Sequence, residues 1–144
     1  MVDTPAAAQE RLQPLTGGRI PENDGPSYRL WRREGGQLPV LIAVPHSGRC
    51  YPAFLLAALR QPERASLRLE DRYVDELALP AAETTQTSLL LADAPRAMID
   101  LNRSADDIDW GMVRGPKPRM TRHSLANRRS RNGLGLVPRR LPGM

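Results

Sequence analysis

Leu38 to Val44 (LPVLIAV) and Thr87 to Ala92 (TSLLLA) are short, nearly continuous apolar runs, and Arg96 to Leu101 (RAMIDL) is a third, more mixed one. Runs of this length with β-branched residues, bounded by turn formers such as Gly35-Gly36 and Pro45, suit buried strands. Ser27 to Arg33 predicts a short edge strand. Between the first two runs the pattern turns helical. Pro52 to Arg60 has proline at a first helical position, good helix formers behind it, and Gln61-Pro62 as a stop. A second helix is predicted from Ser66 or Glu70 to Leu79, with Val74 and Leu77 facing inward and Asp71 and Asp75, four apart, on one face. A further short helix over Ala81 to Thr85 is only weakly indicated. The order strand, helix, helix, strand, strand predicts an α/β sheet with helices packed on it.

Outside this region the chain is less patterned. Residues 1–26, rich in Pro, Gly, Ala and polar residues, predict a flexible segment draped along the surface. From Ser104 onward the sequence reads as an extended loop, with Trp110 and Met112 as its anchors. Charge divides the chain more sharply than hydropathy does. Residues 1–113 carry 12 Lys and Arg against 16 Asp and Glu, whereas residues 114–144 carry 9 basic residues and no acidic one. A basic terminal stretch can be a nucleic-acid arm. This one has no aromatic residue for base stacking, so an active-site or interface loop that meets acidic groups is the stronger reading. No apolar segment is long enough to span a membrane, and no secretory leader pattern opens the chain, which predicts a cytoplasmic protein. The single cysteine, Cys50, supports neither a disulfide framework nor a zinc knuckle and reads as a small apolar filler.

Three segments carry polar residues that an ordinary core does not need: Val44-Pro45-His46-Ser47-Gly48, Glu70 to Leu77 (EDRYVDEL), and Ile99-Asp100-Leu101-Asn102-Arg103. His46 follows one predicted strand and Asn102-Arg103 another, and ligand sites of open α/β sheets gather at the carboxyl ends of strands. An imidazole, carboxylates and a guanidinium at one sheet edge are enough to begin a metal-assisted hydrolytic site that reads an acidic substrate. Plainer readings stand beside this one. His46 can be a turn histidine bonded to backbone, Asp71 and Asp75 a solvated helix face, and Asp100 a partly buried partner of Arg96 or Arg103.

With PHSGRCYP at 45–52, EDRYVDEL at 70–77, PRAMIDLNR at 95–103 and, more weakly, NGLGLVPRRLPG at 132–143, the chain resembles the N-formylglutamate amidohydrolases. The resemblance implies an α/β fold of the zinc carboxypeptidase and aspartoacylase kind (phosphorylase/hydrolase-like), a three-layer arrangement of a sheet with flanking helices, incomplete at the C-terminus. Residues 27–144 would then be the N-terminal part of a single amidohydrolase domain, with 104–144 a basic, loop-rich segment. It implies His46 and Asp71 as zinc ligands, with Glu70 the less favoured carboxylate and another divalent transition metal as an alternative ion. Ser47, Asp75 and Asp100 would support the ligands from behind. Asn102 and Arg103 would bind the carboxylate of a small acidic N-acyl amino acid, a task for which a planar guanidinium is well shaped. The implied reaction is hydrolysis of N-formyl-L-glutamate to formate and glutamate, a step of histidine degradation. A second histidine ligand and a glutamate base belong to the family's later half and are expected beyond residue 144. The other histidine of the chain, His123, lies among arginines whose field opposes a dication. The competing class is a non-catalytic fragment that acts as an interaction or regulatory protein.

Overall fold

The computed structural model describes residues 13–34, 39–117 and 128–140. Its elements in chain order are β1 (Leu15–Gly17), β2 (Tyr28–Trp31), β3 (Leu41–Val44), α1 (Ala53–Ala58), α2 (Pro62–Leu69), α3 (Val74–Thr85), β4 (Ser88–Ala92) and α4 (Arg128–Arg131). The strands form one sheet in the order β1-β2-β4-β3. β3 and β4 are parallel, with Ala43 opposite Leu90, while β2 is antiparallel to both β1 and β4. A parallel pair needs a crossover, and α1, α2 and α3 supply it.

The pleat separates the two faces of the sheet. Leu89 and Leu91 of β4 and Val44 of β3 are buried against Ala78 and Ala82 of α3, with Trp31, Ile42 and Leu79 packed around them. Two alanines at i and i+4 let the helix lie close to the strands. Leu90, Ala43 and Leu30 occupy the alternate positions and line the other face. A second apolar cluster joins α1 and α2 to the segment after β4, through Leu55, Leu69 and Ala97 with Tyr51 and Met98.

Several expectations need correction. Arg96–Leu101 is not a strand: after Pro95 the chain closes a turn in which the Met98 and Ile99 amides donate to the Pro95 carbonyl at 2.9 and 3.4 Å. Both sides of β4 are already taken by β2 and β3. The helix expected from Ser66 or Glu70 is two helices separated by residues 70–73, with Tyr73 in the left-handed region at φ 65°. This break resets the helical phase. Ala78 and Ala82 therefore face the sheet, whereas Val74 is 39% and Leu77 70% exposed, and Asp71 and Asp75 do not share a helix. The weakly indicated helix over 81–85 is the end of α3.

Nor is β2 an edge strand, because β1 pairs along its outer side. Residues 1–12 lie outside those described, but 13–26 contain β1 and Ile20, which is 0% exposed. That apolar anchor and the β1–β2 ladder hold a stretch whose composition alone suggested surface coil. In the 104–113 loop the buried residue is Asp107, whereas Met112 is 45% exposed.

Candidate functional site

Pro45 ends β3, and His46 is the next residue, buried at the carboxyl end of the parallel pair. Ser47 fixes the strand ends beneath it, with Oγ 3.0 Å from the Ala92 carbonyl and 3.3 Å from that of Val44. Gly48 then passes so close to the segment after β4 that a Cβ would collide with the Ala94 carbonyl. Only glycine allows this approach without backbone displacement. These two contacts, together with the Cys50 amide on the Asp93 carbonyl at 3.2 Å, tie the loop that carries the imidazole to β4.

Carboxylates meet both ring nitrogens of His46. Nε2 lies 2.8 Å from Asp100 Oδ1, and Nδ1 lies 3.2 Å from Asp71 Oδ2. Asp71 arrives from the α2–α3 break, where its own amide donates to the His46 carbonyl at 3.0 Å, and its side chain is half exposed. Glu70, the rival carboxylate, is almost buried and is bonded instead by Arg72 Nε at 3.1 Å.

Asp100 is the centre of the arrangement. It is 1% exposed and accepts from His46, from the Asn102 amide at 3.0 Å and from Arg96 Nε at 2.9 Å; Arg103 Nη2 stands 3.6 Å away as a further cation. Burial by itself raises this carboxyl pKa, but the hydrogen bonds from His46, Asn102 and Arg96 outweigh it and hold the group below the ordinary carboxylate range. An ionised Asp100 can only accept, so Nε2 carries a proton. Nδ1 then faces a second acceptor, the half-exposed Asp71 carboxylate, an arrangement that a proton or a metal ion would bridge.

The 3.2 Å separation of Nδ1 and Oδ2 is the spacing of two ligand atoms on one tetrahedral zinc ion, about 3.3 Å for bonds of roughly 2.0 Å. A ligating histidine commonly gives its other N–H to a carboxylate, which is what Asp100 receives. The residues present therefore fit a metal as a partial donor set. Among the described residues no group of three or more His, Cys, Asp or Glu side chains could hold an ion, and His123 lies outside them.

A cavity of about 650 Å³ opens beside the pair. His46, Asp71 and Asn102 form its polar side, and Tyr28, Ala43 and Leu90 of the sheet form its apolar wall. Arg103 is placed differently from Asn102. Its Nε donates to the Leu134 carbonyl at 3.1 Å and its Nη1 to the Asn102 carbonyl at 2.7 Å, so this side chain staples the 132–138 segment to the Asp100 turn. Asp75 does not reach His46 and holds Arg49, three residues past it, at 2.9 Å. Arg96 is the residue that motif reading undervalued. Its spacing of four from Asp100 was the available signal, and the plain reading of Asp100 as a partner of Arg96 and Arg103 holds together with its bond to His46.

A mixed α/β chain that delivers a buried histidine, flanked by two carboxylates, to the carboxyl end of a parallel strand pair is the class of protein these observations define. Residues 38–143 match the family model described as N-formylglutamate amidohydrolase, and the chain belongs to that family. The structure is similar to the crystal structure of N-formylglutamate amidohydrolase from Ralstonia eutropha JMP134, with a TM-score of 0.63 and 38% sequence identity over 78% of this chain. The match spans 38% of the length of that relative. No curated protein sequence matches the chain.

Proposed function

We propose that the chain carries the metal-holding part of a zinc-dependent hydrolase of linear amides, acting on a small acidic N-acyl amino acid. N-formyl-L-glutamate, cleaved to formate and glutamate, is the favoured substrate. The zinc carboxypeptidase-like, three-layer form of the α/β fold belongs to the same reading. The observation that carries it is the pair of acceptors, Nδ1 of His46 and Oδ2 of Asp71, 3.2 Å apart beside a cavity at the strand ends.

His46 and Asp71 would hold the ion. When bound, a divalent metal supplies Lewis-acid polarisation of the scissile carbonyl and makes water a nucleophile near neutral pH. The chain's own residues do the rest of the positioning. Asp100 keeps the proton on Nε2, and so keeps the Nδ1 lone pair directed at the ion site. The exposed Asn102 side chain offers a hydrogen bond to substrate within the cavity. Arg103 uses part of its five-donor fork on Leu134, Asn102 and Asp100, and its remaining N–H groups are the ones that would meet a substrate carboxylate.

The test is zinc binding by equilibrium dialysis, followed by formate release from N-formyl-L-glutamate by the chain fused to the later half of a family member. His46→Ala and Asp71→Asn should each weaken zinc binding at least about tenfold and abolish turnover, with unchanged circular dichroism. Unaltered zinc binding in both variants would sink the reading. One observation favours a second reading, a non-catalytic member of the family: the described residues hold only two of the donors that a catalytic zinc site uses. It predicts no formate release at saturating zinc even from that fusion.

A further inference from the structure

A cavity of about 630 Å³ lies away from His46, between the α1–α2 junction and the 132–140 segment, and falls within the size range of small-molecule sites. Leu59, Ala65 and Leu69 give it an apolar floor. Arg60, Arg139 and Arg140 stand around it, and no acidic side chain lines it among the described residues. Arg139 has a partner in Asp109, 2.6 Å from its Nη1. Neither Arg60 nor Arg140 has a carboxylate or a side-chain hydrogen bond among the described residues.

The basic wall is built by the backbone. Gly133, at φ +79°, takes the Arg139 and Arg140 amides on its carbonyl at 2.7 and 3.1 Å, which closes the turn and presents two successive arginines. A Cβ at position 133 would crowd Arg140 Cβ at 2.6 Å, so the turn requires glycine. Three arginines line one cavity whose lining holds no carboxylate among the described residues, so an anion entering it meets net positive charge.

We propose that this cleft binds a small organic polyanion, a di- or tricarboxylate or a phosphate ester. Arg60, Arg140 and Arg139 take its acidic groups, and its carbon skeleton lies on Leu59, Ala65 and Leu69. A nucleic acid fits less well, because no aromatic side chain lines the cleft for stacking. Occupancy would also reach the His46 site. The same segment accepts the Asp100 amide on the Leu136 carbonyl at 2.7 Å and Arg103 Nε on the Leu134 carbonyl at 3.1 Å.

The experiment titrates citrate and glycerol 3-phosphate separately into the full 144-residue chain by calorimetry, in metal-free buffer at near-physiological salt. Saturable binding of at least one probe is expected, and the stronger one separates carboxylate from phosphate recognition. Arg60→Gln and Arg140→Gln should each weaken it about tenfold, the loss of one charge-assisted hydrogen bond. Arg32→Gln, which removes the same charge from an exposed position outside the cleft, should leave it unchanged. Exchange of the Asp100 amide should slow when the probe binds. Both cleft arginines are exposed, so the fold should survive either change; if one variant unfolds, the other decides. No saturable binding of either probe up to about 10 mM, equal weakening by Arg32→Gln, or saturable binding of a single-stranded oligonucleotide alone would overturn the proposal.

Discussion

Replacing Asp100 by asparagine removes the charge that holds the site together. The carboxylate is 1% exposed, accepts from His46 Nε2 at 2.8 Å, and neutralises Arg96 at 2.9 Å and Arg103 at 3.6 Å, whose side chains are 18% and 16% exposed. Removing one partner of a buried ion pair costs about 3 to 5 kcal/mol, because the other charge is left without compensation. Both guanidinium groups keep some access to water, so the lower end applies, about 3 kcal/mol. In urea, with a slope of about 2 kcal/mol/M, the unfolding midpoint should fall by about 1.5 M.

The acid limb adds a second signature. The folded-state pKa of Asp100 lies below the ordinary value near 3.8, so its contribution is complete above that value and is lost as pH falls through the folded-state pKa. The wild type should therefore lose stability on acidification below about pH 4 more steeply than Asp100→Asn. Urea melts at a series of pH values measure both effects. A midpoint shift under about 0.25 M at neutral pH, or equal acid limbs, would refute the argument that Asp100 is an uncompensated hub once neutralised.

Gly48→Ala should destabilise the chain by about 2 kcal/mol through collision with the Ala94 carbonyl, read as a lowered thermal midpoint; an unchanged midpoint would mean that the loop yields freely. Arg103→Lys keeps the charge but cannot span the Leu134 and Asn102 carbonyls, and should cost about 1 to 2 kcal/mol in urea unfolding. If the stability is intact while turnover of N-formyl-L-glutamate by the fusion with the family's later half falls, Arg103 serves the substrate rather than the 132–138 segment.

The sequence by itself determined those features that depend on neighbours along the chain. The apolar runs at 38–44 and 87–92 contain β3 and β4, and Pro52 with Gln61-Pro62 brackets α1, because apolar runs and the missing proline N–H act locally; β3, however, is an edge strand among the described residues in which only Val44 is buried, not the buried strand that its composition suggested. The segments quoted from 45–52, 70–77 and 95–103 marked the family, and His46, Asp71 and Asn102 do line one cavity. Tertiary structure alone decided the rest. RAMID is a turn because Asp100 is pulled inward by His46, Arg96 and the Leu136 carbonyl. Composition could not place Leu15–Gly17 on the sheet, since a strand of three residues forms only when a partner such as β2 supplies the hydrogen bonds. Nor could motif spacing show that Arg103 reaches 31 residues ahead to Leu134 while Asp75 turns to Arg49. Such contacts depend on distances between segments, which a linear pattern does not encode.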